Sequence, residues 1–168
     1  MVIIVMGVAG VGKTTVGRLL AEQLGWLFAD ADDYHSADNI EKIRSGIPLS
    51  DDDRSTWLRQ LRAIICDWIG HGRNAVLACS ALKRRYQDEL RAGPEVRFVL
   101  LNGDADLIAQ RLGARQGHFA GAAILTSQFA DLEEPEGAVR ADIGQPSETI
   151  VAKIRERLGL SENRADKP

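Results

Sequence analysis

The chain has little cysteine, no extended block of basic residues and no long apolar run, and each shortage removes a class of function. Its two cysteines, Cys66 and Cys79, sit inside apolar runs without CxxC spacing. Neither a disulfide framework nor a zinc site is expected, and both read as buried thiols in a reducing compartment. The net charge is −3 and the pI about 5.6, so nucleic-acid binding has no electrostatic support and a small substrate is expected. The apolar stretch Val2–Met6 is too short for a membrane span or the core of a signal peptide, which predicts a cytoplasmic protein without membrane partners. Internal repeats and low-complexity segments are missing too. With 168 residues, 45% of them hydrophobic, the chain suits one domain over residues 1–160, followed by a polar tail at 161–168.

What is present begins at the end of that apolar stretch. Gly7-Val8-Ala9-Gly10-Val11-Gly12-Lys13-Thr14 is a complete phosphate-binding loop, with a strand pattern before it and a helix pattern after it. The glycines allow a tight turn whose N–H groups point inward, and the following helix N-terminus adds its dipole. Lys13 is placed to neutralise β- and γ-phosphates, and the Thr14 hydroxyl to ligate Mg²⁺. The chain is read as a nucleotide user.

Strand and helix patterns alternate to the end, which predicts an α/β fold with a parallel sheet covered on both faces. Strands are expected at Val2–Met6, Trp26–Asp30, Ala75–Cys79, Val96–Leu101 and Ala138–Ile143. Helices are expected at Lys13–Leu24, Ser36–Ser45, from Ser50 onward, and at Lys83–Arg91, Asp104–Leu112 and Pro146–Leu158. Ser50 with Asp53 reads as a capping box. Behind it, Trp57, Leu58, Leu61, Ile64, Ile65, Trp68 and Ile69 recur at helical spacing and read as core. Residues 113–132, punctuated by Gly113, Gly117 and Gly121, break the rhythm and suggest a mobile lid.

The guanine-reading string Asn-Lys-x-Asp is absent, and the strand Ala75–Cys79 ends in Ser80 where motor and AAA-type ATPases usually carry an acid. The carboxylates that end a strand are Asp30, Asp32 and Asp33, after the second one. Ligands of open parallel sheets bind at the carboxyl ends of the strands, so this turn is expected beside the phosphate loop. That arrangement suits a small-molecule kinase, with Asp32 as the base that meets the acceptor hydroxyl and, through water, a possible partner of the metal. A solvated acidic turn is the alternative. His35 either caps the next helix or reaches the substrate. Arg54 is either a carboxylate clamp or is screened by the three aspartates before it. Of Lys83, Arg84 and Arg85, Lys83 is expected to face inward. Arg111 and Arg115 lie one helical turn apart, so that a closing lid could bring positive charge to the transferring group.

Several separate segments together resemble the gluconate kinase (gluconokinase) family of small phosphate-loop kinases. They are Met6-Gly7-Val8 through Thr15, Asp32-Asp33-Tyr34-His35, Gly46-Ile47-Pro48-Leu49, Asp52-Asp53-Arg54, Trp57-Leu58, Cys79 through Tyr86, Gly117-His118-Phe119, Ser127-Gln128 and Leu132-Glu133-Glu134-Pro135. The resemblance covers residues 1–158. It implies a nucleoside-monophosphate-kinase-like three-layer α/β/α sandwich around a five-stranded parallel sheet, and ATP-dependent phosphorylation of D-gluconate at its terminal hydroxyl. By the same resemblance, Gly7 to Thr15 with Arg111 and Arg115 bind ATP, and Asp142 to Pro146 form the adenine-side loop. Asp32, His35, Arg54, Ser80, Lys83 and His118 contact the acceptor, and Lys13, Asp32 and Arg115 act in catalysis. Mg²⁺ accompanies ATP, and a homodimer is implied. Departures from the family pattern are Ala120-Gly121 where Met-Pro is usual, Thr56 in place of Pro, and Ala9 in place of Ser. A shikimate-type kinase, or an ATP-binding protein without turnover, is the alternative reading.

Overall fold

Val2–Met6 (β1) is buried along its whole length, and a strand buried on both faces needs apolar residues at every position. In the computed structural model β1 lies at the middle of a parallel sheet. The model describes the backbone of residues 1–45, 47–116 and 118–160, and the side chains of those residues outside 114–124. The chain continues through Lys13–Leu24 (α1), Leu27–Asp30 (β2), a 3₁₀ turn at Ala31–Tyr34, Ala37–Arg44 (α2) and Asp51–Gly70 (α3). Ala75–Ala78 (β3), Arg84–Leu90 (α4), Val96–Asn102 (β4) and Ala105–Gln116 (α5) follow. His118–Asp131 (α6), Val139–Asp142 (β5) and Ser147–Arg157 (α7) complete the described fold.

Among the described residues the sheet has five strands in the order β2-β3-β1-β4-β5, all parallel. β1 pairs with β3 from Val2↔Ala75 to Val5↔Ala78 and with β4 from Val2↔Val96 to Met6↔Leu100. Connections therefore leave β1 toward opposite sides of the sheet, and the crevice at its carboxyl end is the point where ligands of such sheets bind.

The alternation of β1 separates two cores. Ile3 and Val5 join Val16 and Leu20 of α1, Ile108 and Leu112 of α5, and Ile150 and Ile154 of α7. Val2, Ile4 and Met6 face the other way, onto Trp57, Leu61, Ile65 and Trp68 of α3 and Tyr86 and Leu90 of α4. The expected three layers follow directly from this period of two. The capping box at Ser50 and Asp53 is present in both directions.

One expectation needs correction. Cys66 is exposed, and only Cys79 is buried. The inward stripe of α3 runs through residues 58, 61, 65 and 68, and a helix turns position 66 about 100° away from it. Residues 113–116 extend α5 beyond Leu112, and α6 begins at His118 and carries Gly121 inside it. The glycines sit among Ala114, Ala120, Ala122 and Ala123, whose helix propensity offsets the glycine cost of about 1 kcal/mol each. The side chains of Arg115 and His118, as well as Gly46, Gly117 and the tail at 161–168, lie outside the described residues.

Where β1 hands over to the loop, Gly7 has φ 141° and a Cβ there would lie 2.7 Å from the Leu101 carbonyl oxygen at the end of β4. Backbone cannot give way as a flexible side chain does. Gly7→Ala should therefore destabilise the ligand-free protein by about 1–3 kcal/mol, read as a lower urea midpoint. An unchanged midpoint would show that β4 yields without cost.

Candidate active site

The phosphate loop opens directly into α1. Gly12 is the N-cap with φ 96° and offers no side-chain cap, so the first N–H groups of the helix remain directed into the concavity of the loop. Lys13 folds back over it and donates from Nζ to the Val8 carbonyl at 3.1 Å. Val8 and Val11 are buried beneath the loop. The Ala9 N–H donates to Gln128 Oε1 at 2.6 Å, tying the loop to α6.

Arg111 donates to the Ile143 carbonyl at 3.2 Å. It lines a cleft of about 380 Å³ with Gly10, Gly12, Thr15, Gln145 and Ser147. Part of the phosphate loop, Arg111 and Gln145 of the Asp142–Pro146 segment thus line one cleft.

The acidic turn follows β2, which pairs with β3 up to Asp30↔Ala78. Asp30 Oδ2 accepts from the Thr14 hydroxyl at 2.7 Å, and its other oxygen accepts from the Asp32 N–H at 3.2 Å. The structure therefore joins the turn to the phosphate loop. Asp32 stands at the surface of the turn, its side chain 88% exposed. Even so, the protein around it excludes enough bulk water to raise its pKa, with Asp30 and then Asp33 adding to the rise; Lys13 and His35 act in the opposite direction.

His35 does not cap α2. Ser36 does, accepting from the Asn39 N–H at 3.2 Å. The imidazole instead stacks on Trp57 with centroids 4.6 Å apart and planes at 14°, and its Nε2 lies 4.0 Å from Asp32. Burial lowers its pKa against the pull of Asp32, and Arg54 lowers it further. Trp57 is itself fixed by its indole N–H, which donates to the Ala31 carbonyl at 2.7 Å.

Arg54 donates to the Leu49 carbonyl at 2.7 Å, with its guanidinium 5.9 Å from the centre of the Tyr86 ring. Two of the aspartates before it are engaged elsewhere. Asp53 pairs with Lys42 at 2.7 Å, and Asp51 holds Arg85 and the Tyr86 hydroxyl. Those bonds depress both carboxyls to about 2. Ser80 is half-buried just beyond β3. Lys83, the N-cap of α4, reaches Asp131 of α6 at 3.5 Å. Buried Cys79, whose thiol is pushed up to about 12 chiefly by desolvation, is chemically inert there.

Sequence reasoning gave no role to Asp30 as the partner of Thr14, nor to Gln128 or Gln87. Asp30 was visible as part of the acidic cluster. Gln128 was visible within the Ser127-Gln128 segment without its partner, and Gln87 carries no local signal, because the partners of both lie far along the chain.

A phosphate loop at the switch point of a parallel sheet, a carboxylate turn bonded to it and basic side chains along the same edge define a small phosphate-loop kinase. A family model described as an AAA domain matches residues 2–135. The thermosensitive gluconokinase of Escherichia coli (strain K12) is 41% identical, covering 96% of this chain and 89% of its own. The gluconokinase of Gluconobacter oxydans (strain 621H) is 46% identical over 79% of this chain and 75% of its own. The crystal structure of a gluconokinase from Sinorhizobium meliloti 1021 superposes with a TM-score of 0.81 at 41% identity, covering 94% of this chain and 90% of that one. The chain belongs to the gluconokinase family. A shikimate kinase from Aquifex aeolicus vf5 matches with a TM-score of 0.54 at 18% identity, over 95% of this chain and 96% of that one, a likeness of fold alone.

The Gln128 bond predicts a donor-side effect. Gln128→Met keeps the length of the side chain and removes the acceptor of the Ala9 N–H, and should raise KM for ATP by about three- to tenfold. Steady-state kinetics with ATP varied at saturating acceptor read this directly, and an unchanged value would remove Gln128 from the donor side.

Proposed function

We propose that the protein transfers the γ-phosphoryl group of ATP to the terminal hydroxyl of D-gluconate, giving 6-phospho-D-gluconate and ADP. The observation that carries this reading is the placement of Asp32. Its carboxyl is accessible and within electrostatic reach of Lys13, on a turn bonded to the phosphate loop through Thr14 and Asp30.

The hydroxyl oxygen attacks the γ-phosphorus as the bond to the bridging oxygen of ADP breaks, and Asp32 takes the hydroxyl proton. Its raised pKa suits a group that must accept that proton and later release it. Lys13 and the N–H groups of residues 7–15 hold the β- and γ-phosphates, and Arg111 lies along the adenine side. Arg54, Ser80 and Lys83 engage the carboxylate and hydroxyls of gluconate, with His35 beside Asp32. Arg115 and His118, where α5 gives way to α6, close over the phosphates and supply charge to the transition state.

The all-oxygen set of the Thr14 hydroxyl and the Asp30 and Asp32 carboxyls fits Mg²⁺, which is held by one or two carboxylates, water and phosphate oxygens. The ion would come with the nucleotide and rest on Thr14, with the aspartates acting through water. Bound there, it neutralises charge on the β- and γ-oxygens. No described helix is long and apolar enough to cross a membrane. The two free cysteines support a cytoplasmic setting, and the family resemblance supports a homodimer.

ADP release in the presence of Mg²⁺ should depend on gluconate when gluconate, idonate, shikimate, glycerate and AMP are compared. Turnover with another acceptor and none with gluconate would falsify the substrate assignment. Asp32→Asn should lower kcat by about 10²- to 10⁴-fold while ATP affinity changes little. Near-normal turnover would remove Asp32 as the base.

A further inference from the structure

The turn after β3 contains Ala81 at φ 43°, the one positive-φ residue other than glycine among the described residues. It is 2% exposed. A left-handed alanine costs about 1–2 kcal/mol, and such a conformation persists only where its surroundings hold it. Here the surroundings are unusually specific. Gln87, also 2% exposed, donates from Nε2 to the Ala81 carbonyl at 3.0 Å and to the Glu133 carbonyl at 2.6 Å, with the Leu82 carbonyl at 3.5 Å. The Glu133 N–H donates to the Leu82 carbonyl at 2.8 Å, and the Glu133 carboxylate accepts from the Arg84 N–H. One buried amide thus brackets the strained turn to the segment that follows α6.

Ser80 and Lys83 flank the two bracketed residues. We infer that Gln87 is a positioning residue for the acceptor side of the reaction, holding Ser80 and Lys83 in place by fixing the Ala81-Leu82 turn against Glu133. This rests on the reading above that Ser80 and Lys83 meet gluconate. Gln87 touches neither substrate. An amide is the group the position needs, because the carbonyls facing it require donors and a carboxylate of the same shape has none when ionised. A hydrocarbon there takes the Gln87 donor from the Ala81 and Glu133 carbonyls, while the Leu82 carbonyl keeps the Glu133 N–H.

The test is a KM comparison. Gln87→Met keeps length and burial but removes both donors, and should raise KM for gluconate about tenfold, with KM for ATP changing by less than about twofold. A purely structural role would lower the amount of folded enzyme and hence apparent kcat, leaving both KM values in place. If Gln87→Met does not accumulate as folded protein, Gln87→Asn withdraws the same amide on a shorter stem and should give the same gluconate-selective rise. An unchanged gluconate KM in the folded variant, or an equal rise in both KM values, overturns the inference. Lys83→Met separates it from the underlying reading. If Lys83→Met leaves the gluconate KM unchanged, the acceptor assignment itself fails. If it raises that KM while the Gln87 variant does not, the positioning role alone is lost.

Discussion

Burial of β1 on both faces is the constraint on which the rest of the structure depends. Its five residues are withdrawn from water, so each must be apolar and each must meet a partner on one side of the sheet. Ile3 and Val5 call for the layer of α1, α5 and α7, while Val2, Ile4 and Met6 call for α3 and α4. Full burial of side chains of this size contributes about 1.5–3 kcal/mol apiece, which is large beside the net stability of a domain. The strand at the middle of the sheet therefore also fixes where the phosphate loop emerges. Catalytic geometry is inherited from packing.

From that point the site is assembled by single bonds between elements that are distant in sequence. Thr14 reaches Asp30 and thereby joins the loop to the acidic turn. Trp57, held by Ala31, provides the surface on which His35 lies next to Asp32. The segment 128–133 touches both halves of the cleft, through Gln128 at the phosphate loop, Asp131 at Lys83 and Glu133 at the turn after β3. Each bond is worth little alone, about 0.5–1.5 kcal/mol. Their value lies in fixing groups whose displacement by 1 Å would cost far more in rate.

Features set by local chemistry were legible in the sequence. The glycine spacing of the loop, the Ser50–Asp53 box and the apolar runs of the strands each follow from neighbours within a few residues, and each is found where expected. The acidic turn was legible as well, since the end of β2 must lie at the ligand edge of a parallel sheet. Features that depend on long-range partners were not. Gln87 is an ordinary helical glutamine until the fold brings Glu133 to it, and nothing local predicts a left-handed Ala81. The exposure of Cys66 was missed for a different reason: α3 is apolar on more positions than its buried stripe uses, with Ile64 and Ile69 only partly covered. The helical backbone of 113–116 and 118–131 is likewise not evident from glycine spacing alone, because the alanines between the glycines favour helix.

The placement of β1 also fixes an order of events during synthesis. Its two neighbours begin at Ala75 and Val96, so β1 is made well before it has any partner in the sheet. Pairings this distant are slow to close, because loop entropy is lost before contacts repay it. The wall against Gly7 is the carbonyl of Leu101, and the acceptor of the Ala9 N–H is Gln128. The nucleotide loop is made before the residues that wall and tie it, and a nascent chain that ends short of them has no finished place for a phosphate.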